Sequence, residues 1–544
     1  MRLDLVERPA EASAEGFSRL KSQPQSEIFT KLGDVKSRRI GWTEERRKLL
    51  VAMWGRGEKA PAIAAALGVK VGAVNVARAR LGLKPRRVVS GRPKEPEEPP
   101  HKIERVAFTV SRLVEYCNEK ELVAQCGHEA FEWPRVIIKE LVDNGLDHCE
   151  EAGIAPVIKV AIKSGKRGKR TRIVVEDNGL GIPAATVTGV IDYTIRISSR
   201  EAYISPTRGR QGNALKCILP MSFIVGGKVR GETWIEARGI KHRLIFSVNQ
   251  IKQEPIVKDI RSRSRTRIGT RVTIFWPNDQ AVDTAAITHL LKAFIWCNPH
   301  VSLRFNADGK EVIRFGATNP NWSKYRACDA TSAHWYSLEQ FERYAGALID
   351  KHGGKFTVRE FAAQFRGMSA TEKQKEVVRT LGASHMSLLR FFGSETEVKH
   401  QAMQKLLDLL LEHTRPVRPE LLGVIGEQHL RQLCIDSGGE PQAFKYFLSS
   451  DYSAGVPYVV EVATCAYRKW VHGKENAPVR ELITGINFSA TLENPFHKLR
   501  GLEGMEEILT ELRAGSNSPV IVCAHYVCPH IEYLDRGKSR IGLE

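Results

Sequence analysis

The sequence predicts an α+β multidomain protein. It should comprise an N-terminal three-helix module, an α/β sandwich, a helical insert and a C-terminal α/β domain. Three observations lead there. A basic stretch broken into short helices ends in a proline-rich linker. A long amphipathic helix around Glu140 is followed by a β-branched run, Thr171 to Val175. Helical text from Ser337 to Leu433 then gives way to apolar strands. At 544 residues the chain exceeds what one core supports, so several domains are expected.

Residues 1–35 are polar with weak periodicity and are expected to be flexible. Residues 36–88 carry the charge. Between Lys36 and Arg92 stand fifteen Lys and Arg against three Glu, a balance of +12 out of a net +20. Such concentration points to a polyanion, nucleic acid in this reading. Thr43 reads as an N-cap ahead of Glu44 and Glu45, with Leu49, Leu50, Met53 and Trp54 as the apolar face. Ala60 to Leu67 and Val71 to Leu81 supply two more helices around Gly68, a helix-turn-helix pattern. Asn75 and Arg78 are the candidate base contacts, and Arg80, Lys84, Arg86 and Arg87 the candidate phosphate contacts. A protein-docking module is the competing reading. Residues 89–104 form the linker.

Residues 105–315 hold the motifs with chemistry. In Glu140-Leu-Val-Asp-Asn-Gly-Leu-Asp147, Glu140 and Asn144 stack one turn apart, with Asp143 and Asp147 beside them. Phe131, Val136, Ile137, Leu141 and Leu146 are expected to form the apolar face. A carboxylate one turn from an amide suits a divalent cation and an attacking water. Asp177, Gly179 and Gly181 follow the strand, where glycine lets backbone approach a flat ligand. Thr207-Arg-Gly-Arg-Gln-Gly-Asn-Ala-Leu-Lys216 opens an apolar helix, and free amides at a helix start favour anions. Each motif alone is also compatible with an ordinary amphipathic helix or turn; the order and spacing of all three favour a nucleotide site.

Together these motifs resemble the ATPase superfamily of gyrase B, MutL, histidine kinases and the Hsp90 class, the GHKL or Bergerat fold. The resemblance is nearest to the B subunit of type IIB topoisomerases, the topoisomerase VI family. It implies ATP and Mg²⁺ as cofactors, with Glu140 as general base and Asn144 as the Mg²⁺ ligand. Asp177 would take the adenine amino group, Gly179, Gly181 and Thr270 would complete the base pocket, and Asp147 would be a further nucleotide-binding residue. Ser198, Ser199, Gly209, Arg210, Gln211, Gly212, Asn213 and Ala214 would wrap the phosphates. Residues 316–445 would be the helical insert and 446–544 a transducer-like domain, with Lys538 reaching the γ-phosphate. The implied partners are DNA, a second copy joined in an ATP-dependent homodimer, and a separate Toprim and winged-helix A subunit. The helix-turn-helix departs from that family and resembles Myb-like or GcrA-like modules. A DNA-bound sensor or regulator of a mobile-element or defence system is therefore the alternative.

Other classes are disfavoured. Nothing approaches the ~20 apolar residues of a membrane helix, and the first residues lack a signal-peptide core, so a cytoplasmic protein is expected. Ten cysteines without framework spacing read as reduced thiols. Cys523 to His530 alternates like a strand rather than a metal site, and Lys166 to Arg170 reads as a solvated hairpin rather than a phosphate loop. The run Arg261, Arg263, Arg265 and Arg267 reads as a solvated hairpin, with DNA contact as the alternative. A histidine kinase would need a phosphoacceptor helix, which His128 lacks, and no Toprim-like acidic signature is visible.

Overall fold

A computed structural model describes residues 41–85, 112–165, 169–194, 202–208, 214–227, 231–277, 279–394, 397–468, 479–497, 504–533 and 541–542. The chain divides into two compact units, Met1–Val106 and Ala107–Glu544.

In the first unit three helices follow one another: α1 (Glu44–Gly55), α2 (Ala60–Ala66) and α3 (Val71–Arg80). Thr43 caps α1 by accepting from the Arg46 amide, and Gly68, at φ +60°, makes the turn before α3. Leu50, Met53, Ile63, Ala64, Leu67, Val74 and Ala77 close a small core. Leu49 does not join it as expected; it stays 44% exposed. The expected linker, 89–104, and residues 1–35 lie outside the described residues.

The second unit begins with α4 (Glu119–Cys126), α5 (Trp133–Glu151), β1 (Val157–Lys163) and β2 (Thr171–Glu176). It continues with α6 (Ala184–Ile191), α7 (Ala214–Val225), β3 (Gly231–Ala237), β4 (Ile240–Asn249), β5 (Glu254–Arg263) and β6 (Thr270–Trp276). Then come α8 (Thr284–Cys297), β7 (Ser302–Ala307) and β8 (Lys310–Phe315). The eight strands form one sheet in the order β5-β4-β3-β6-β2-β1-β7-β8, antiparallel except where β1 meets β7. β2 and β6 lie near its middle, and their alternating burial matches a sheet covered on one face. The inward side chains of α5, α7 and α8 supply that cover, with Ile137, Leu146, Met221, Leu291 and Phe294 deeply buried.

One expectation about α5 fails. Phe131 belongs not to its apolar face but to a preceding 3-10 turn, Ala130–Glu132, where it is 78% exposed. The helix starts at Trp133 with Pro134 in its first turn, a position that proline favours, and Trp133 takes the buried place.

The helical segment contains α9 (Leu338–His352), α10 (Val358–Ala362), α11 (Thr371–Thr380), α12 (Leu388–Phe392), α13 (His400–His413) and α14 (Glu427–Asp436). Phe341, Tyr344, Phe361 and Phe365 cluster in its centre. After it come β9 (Lys445–Ser453), β10 (Val456–Ala466), β11 (Glu481–Ile486), β12 (Ser489–Ala490), α15 (Met505–Glu511) and β13 (Val520–Val527). They build a mixed sheet, β12-β11-β13-β10-β9, in which β11 and β13 run parallel. A short ladder of β14 (Glu532–Tyr533) and β15 (Ile541–Gly542) completes the described chain. Cys523 to Val527 is strand, as the alternation predicts. Among the described residues no single helix is long and apolar enough to cross a membrane.

Candidate nucleotide site

Helix α5 presents two chemically different faces. Glu140, Asn144 and His148 recur every four residues and are half-buried, whereas Asp143, Asp147 and Glu150 are buried on another side. Beside the half-buried stripe, Gly145 abuts the end of β2. A Cβ there would stand 3.0 Å from Ile158 Cδ1 and 3.2 Å from Asp177 Cβ, closer than ordinary contact, so glycine eases this approach.

Asp177 follows β2 and is held from two directions. Its Oδ1 accepts from the Gly179 amide at 2.8 Å and from the Thr270 amide at 3.2 Å. The Asp177 amide donates to the Thr270 carbonyl, and Thr270 Oγ1 accepts from the Ile182 amide. Gly269, at φ +72°, passes over this turn so closely that a Cβ would lie 1.8 Å from the Asp177 carbonyl. Burial pushes the Asp177 carboxyl up, against the amides that favour its charge. Asp177, Gly179, Gly181 and Thr270 are thus brought together, with Asn144 a residue away from the Gly145 contact.

Next to Glu140, Lys139 donates to Glu140 Oε1 at 3.3 Å and to Asp143 Oδ2 at 3.0 Å. Burial opposes the ammonium charge, but Asp143 and Glu140 more than offset this and hold the Lys139 pKa high.

The other face is occupied by Arg208. Its side chain is fully buried and reaches Asp147 Oδ1 at 2.8 Å, both Glu150 oxygens at 2.7 and 2.6 Å, and the Asn298 amide oxygen at 2.5 Å. Its Nε donates to the Phe488 carbonyl. Lys324 and His300 also engage Glu150. Although burial works against ionisation, Arg208 and Lys324 hold Glu150 well below the usual carboxylate range. Asp143 accepts from Ser489 Oγ at 2.7 Å, which joins α5 to the C-terminal sheet. Asp147, a nucleotide contact in the resemblance, has its Oδ1 held in this ion cluster by Arg208. Asp and Glu on adjacent helical faces look alike in sequence, and only the distant Arg208 and Ser489 separate them.

Several candidates lie outside the described residues: Ser198, Ser199, Gly209, Arg210, Gln211, Gly212, Asn213, Lys538, Arg86 and Arg87. Ala214 opens α7, half-buried, as the apolar pattern predicts. In the N-terminal unit Asn75, Arg80 and Lys84 are exposed. Arg78 is partly committed within its own module, donating to the Leu83 carbonyl at 2.8 Å and lying 5.3 Å from the Trp54 ring centre. Sequence reasoning missed Lys139, Arg208, Gly145, Gly269 and Ser489. The first four stand inside or beside the candidate motifs, Gly269 directly before Thr270; Ser489 carries no local signal.

Comparison with known proteins defines the class first. The family described as histidine kinase-, DNA gyrase B-, and HSP90-like ATPase matches residues 132–280, from the start of α5 to just past β6. Among curated proteins, the B subunit of type 2 DNA topoisomerase 6 from Pyrococcus horikoshii is 39% identical over 457 residues, covering 75% of this chain and 78% of that protein. Its counterpart from Thermococcus onnurineus is 28% identical, with the same coverage. That from Archaeoglobus fulgidus is 32% identical over 174 residues, only 28% of its length. The chain belongs to the family of type 2 DNA topoisomerase 6 B subunits. Two solved structures also align: the ATPase region of Saccharomyces cerevisiae topoisomerase II (9% identity, 75% of this chain and 78% of that one, TM-score 0.33) and the DNA gyrase B protein of Myxococcus xanthus (12% identity, 79% and 88%, TM-score 0.33).

Proposed function

We propose that this chain is the ATP-hydrolysing subunit of a type IIB topoisomerase, an ATP-gated dimeric clamp that acts on DNA with a separate cleavage subunit. The observation that carries the reading is the junction of α5 with the Asp177 turn. Gly145 lets α5 approach Asp177, Gly269 lets the chain before β6 pass over its carbonyl, and Glu140 and Asn144 are half-buried on the same helix.

In this reading the Asp177 carboxylate, with Oδ1 already engaged by two amides, offers Oδ2 to the adenine amino group. Gly179, Gly181 and Thr270 shape the base pocket. The Asn144 amide oxygen would hold Mg²⁺, which neutralises phosphate charge when bound. Glu140 accepts a proton from the attacking water, with the Lys139 ammonium 3.3 Å from its carboxylate. The segment from Gly209 to Asn213 wraps the phosphates, and Lys538 reports their presence to the C-terminal domain. Support for the wider assignment comes from family membership, which extends over 78% of the length of two relatives.

The test pairs Glu140→Gln with purified protein, ATP and Mg²⁺. Turnover should collapse while calorimetric nucleotide binding persists; unchanged turnover rejects Glu140 as the base. Adding the candidate cleavage subunit should produce ATP-dependent relaxation of supercoiled DNA. A second reading, a DNA-bound sensor working without that subunit, is favoured by the separate N-terminal unit with exposed Asn75, Arg80 and Lys84. Tight duplex binding by the full chain, with no relaxation in any partner's presence, would select it.

A further inference from the structure

One group of side chains is used by neither the nucleotide site nor the Arg208 cluster. His128 lies in the turn before the 3-10 segment that leads into α5, Glu132 immediately precedes α5, and Glu493 follows β12 in the C-terminal sheet domain. One ligand atom from each lies within 4.8 Å of the others.

His128 is the informative member. Its side chain is only 4% exposed, yet Nδ1 has no hydrogen-bond partner among the described residues. An orphaned buried ring nitrogen is costly and asks for an explanation. The nearest acceptor, Glu132 Oε2, is 3.7 Å away, beyond hydrogen-bond length. Glu132 Oε1 is taken by Arg135, which leaves Oε2 facing the imidazole. The backbone here is fixed as well: the His128 carbonyl accepts from Trp133 Nε1 at 2.9 Å and from Cys126 Sγ at 3.4 Å.

We propose that His128, Glu132 and Glu493 form a site for a divalent transition-metal cation, zinc by preference. One imidazole and two carboxylates are a borderline donor set, and among the divalent ions that accept it zinc binds more tightly than manganese. Donors on one zinc lie about 2.0–2.2 Å from the ion, so two of them are at most about 4.4 Å apart. The three donor atoms are already near that spacing, and the exposed Glu493 side chain has the freedom to close the remainder. The fourth position goes to water. Such a cation ties the foot of the nucleotide helix to the segment after β12, two parts of the chain far apart in sequence.

The experiment uses the full-length protein stripped with a chelator, then dialysed against zinc chloride with metal content and thermal midpoint as readouts. Wild type should take up zinc and show a raised midpoint. Glu493→Gln, at an exposed position, should fold normally, bind about ten- to a hundredfold more weakly and lose the midpoint shift. His128→Ala should lose more. Zinc held by the cysteines is common to all three proteins and cancels in the comparison. Equal uptake and equal midpoint shifts in wild type and Glu493→Gln overturn the proposal, as does a wild type that takes up none.

Discussion

The two sides of α5 carry the same kinds of residue and do opposite things with them. On one side Asp143, Asp147 and Glu150 are buried, and each is answered by a cation or hydroxyl: Lys139, Arg208, Lys324 or Ser489. On the other side Glu140 and Asn144 remain half-buried, on the helix that Gly145 brings against the Asp177 turn. Acids buried against several partners fix a structure, whereas an acid that stays half-buried is accessible to a ligand. Charge alone does not distinguish them; the depth of burial and the partner do.

Breaking the answered side should cost most. Arg208→Met would leave Asp147 and Glu150 buried without their guanidinium, and urea unfolding should show a loss of roughly 3–5 kcal/mol. A change below about 1 kcal/mol would mean the cluster is far more hydrated than its burial implies. On the open side Glu140→Gln should lower ATP turnover by at least about a hundredfold with little effect on stability, the reverse pattern. Asp177→Asn should weaken nucleotide binding by about tenfold or more, because a charge-assisted acceptor is lost; calorimetry with an unchanged dissociation constant would remove Asp177 from the site.

Acid titration sharpens the contrast through its sign. Glu150 is depressed below its ordinary 4.5, so its contribution is present above that value and is lost as the pH falls through the depressed native value. Asp177 is raised above its ordinary 3.8, so its contribution instead declines as the pH rises through the window above 3.8. Wild type should therefore lose stability on acidification from about pH 5 to about pH 3, and Glu150→Gln should flatten that slope while Asp177→Asn should steepen it. Identical slopes in all three would refute the assignment. Smallest of all, Ser489→Ala removes one hydroxyl from Asp143 and should cost about 1 kcal/mol in thermal or urea unfolding.

Much of this side of the molecule is readable from sequence because its signals are local. Glu140 and Asn144 are one turn apart, Asp177 ends a β-branched run, and both lie within short motifs. Three helices in the basic segment and the mixed C-terminal sheet are legible for the same reason, since period and turn residues repeat over a few positions. What stays hidden depends on residues brought from afar. Asp147 cannot be told from a ligand-facing acid until Arg208 is seen against it, and Ser489 meets Asp143 from the other end of the chain. Phe131 misleads because its spacing fits the helix, while Pro134 sets the true start two residues later. Arg78 has the right position for a base contact, yet Trp54 and Leu83 engage it first.

The hairpin between β11 and β12 holds its backbone under strain. Asn487 and Phe488 adopt φ of +50° and +66°, a mirror-image turn that asparagine tolerates and phenylalanine resists by about 1–2 kcal/mol. Phe488 is kept there because its ring packs on Trp322 and His525 and its carbonyl receives Arg208 and Asn298. One buried guanidinium thus anchors this unfavourable corner and, through Asp147 and Glu150, the long helix α5 at the same time.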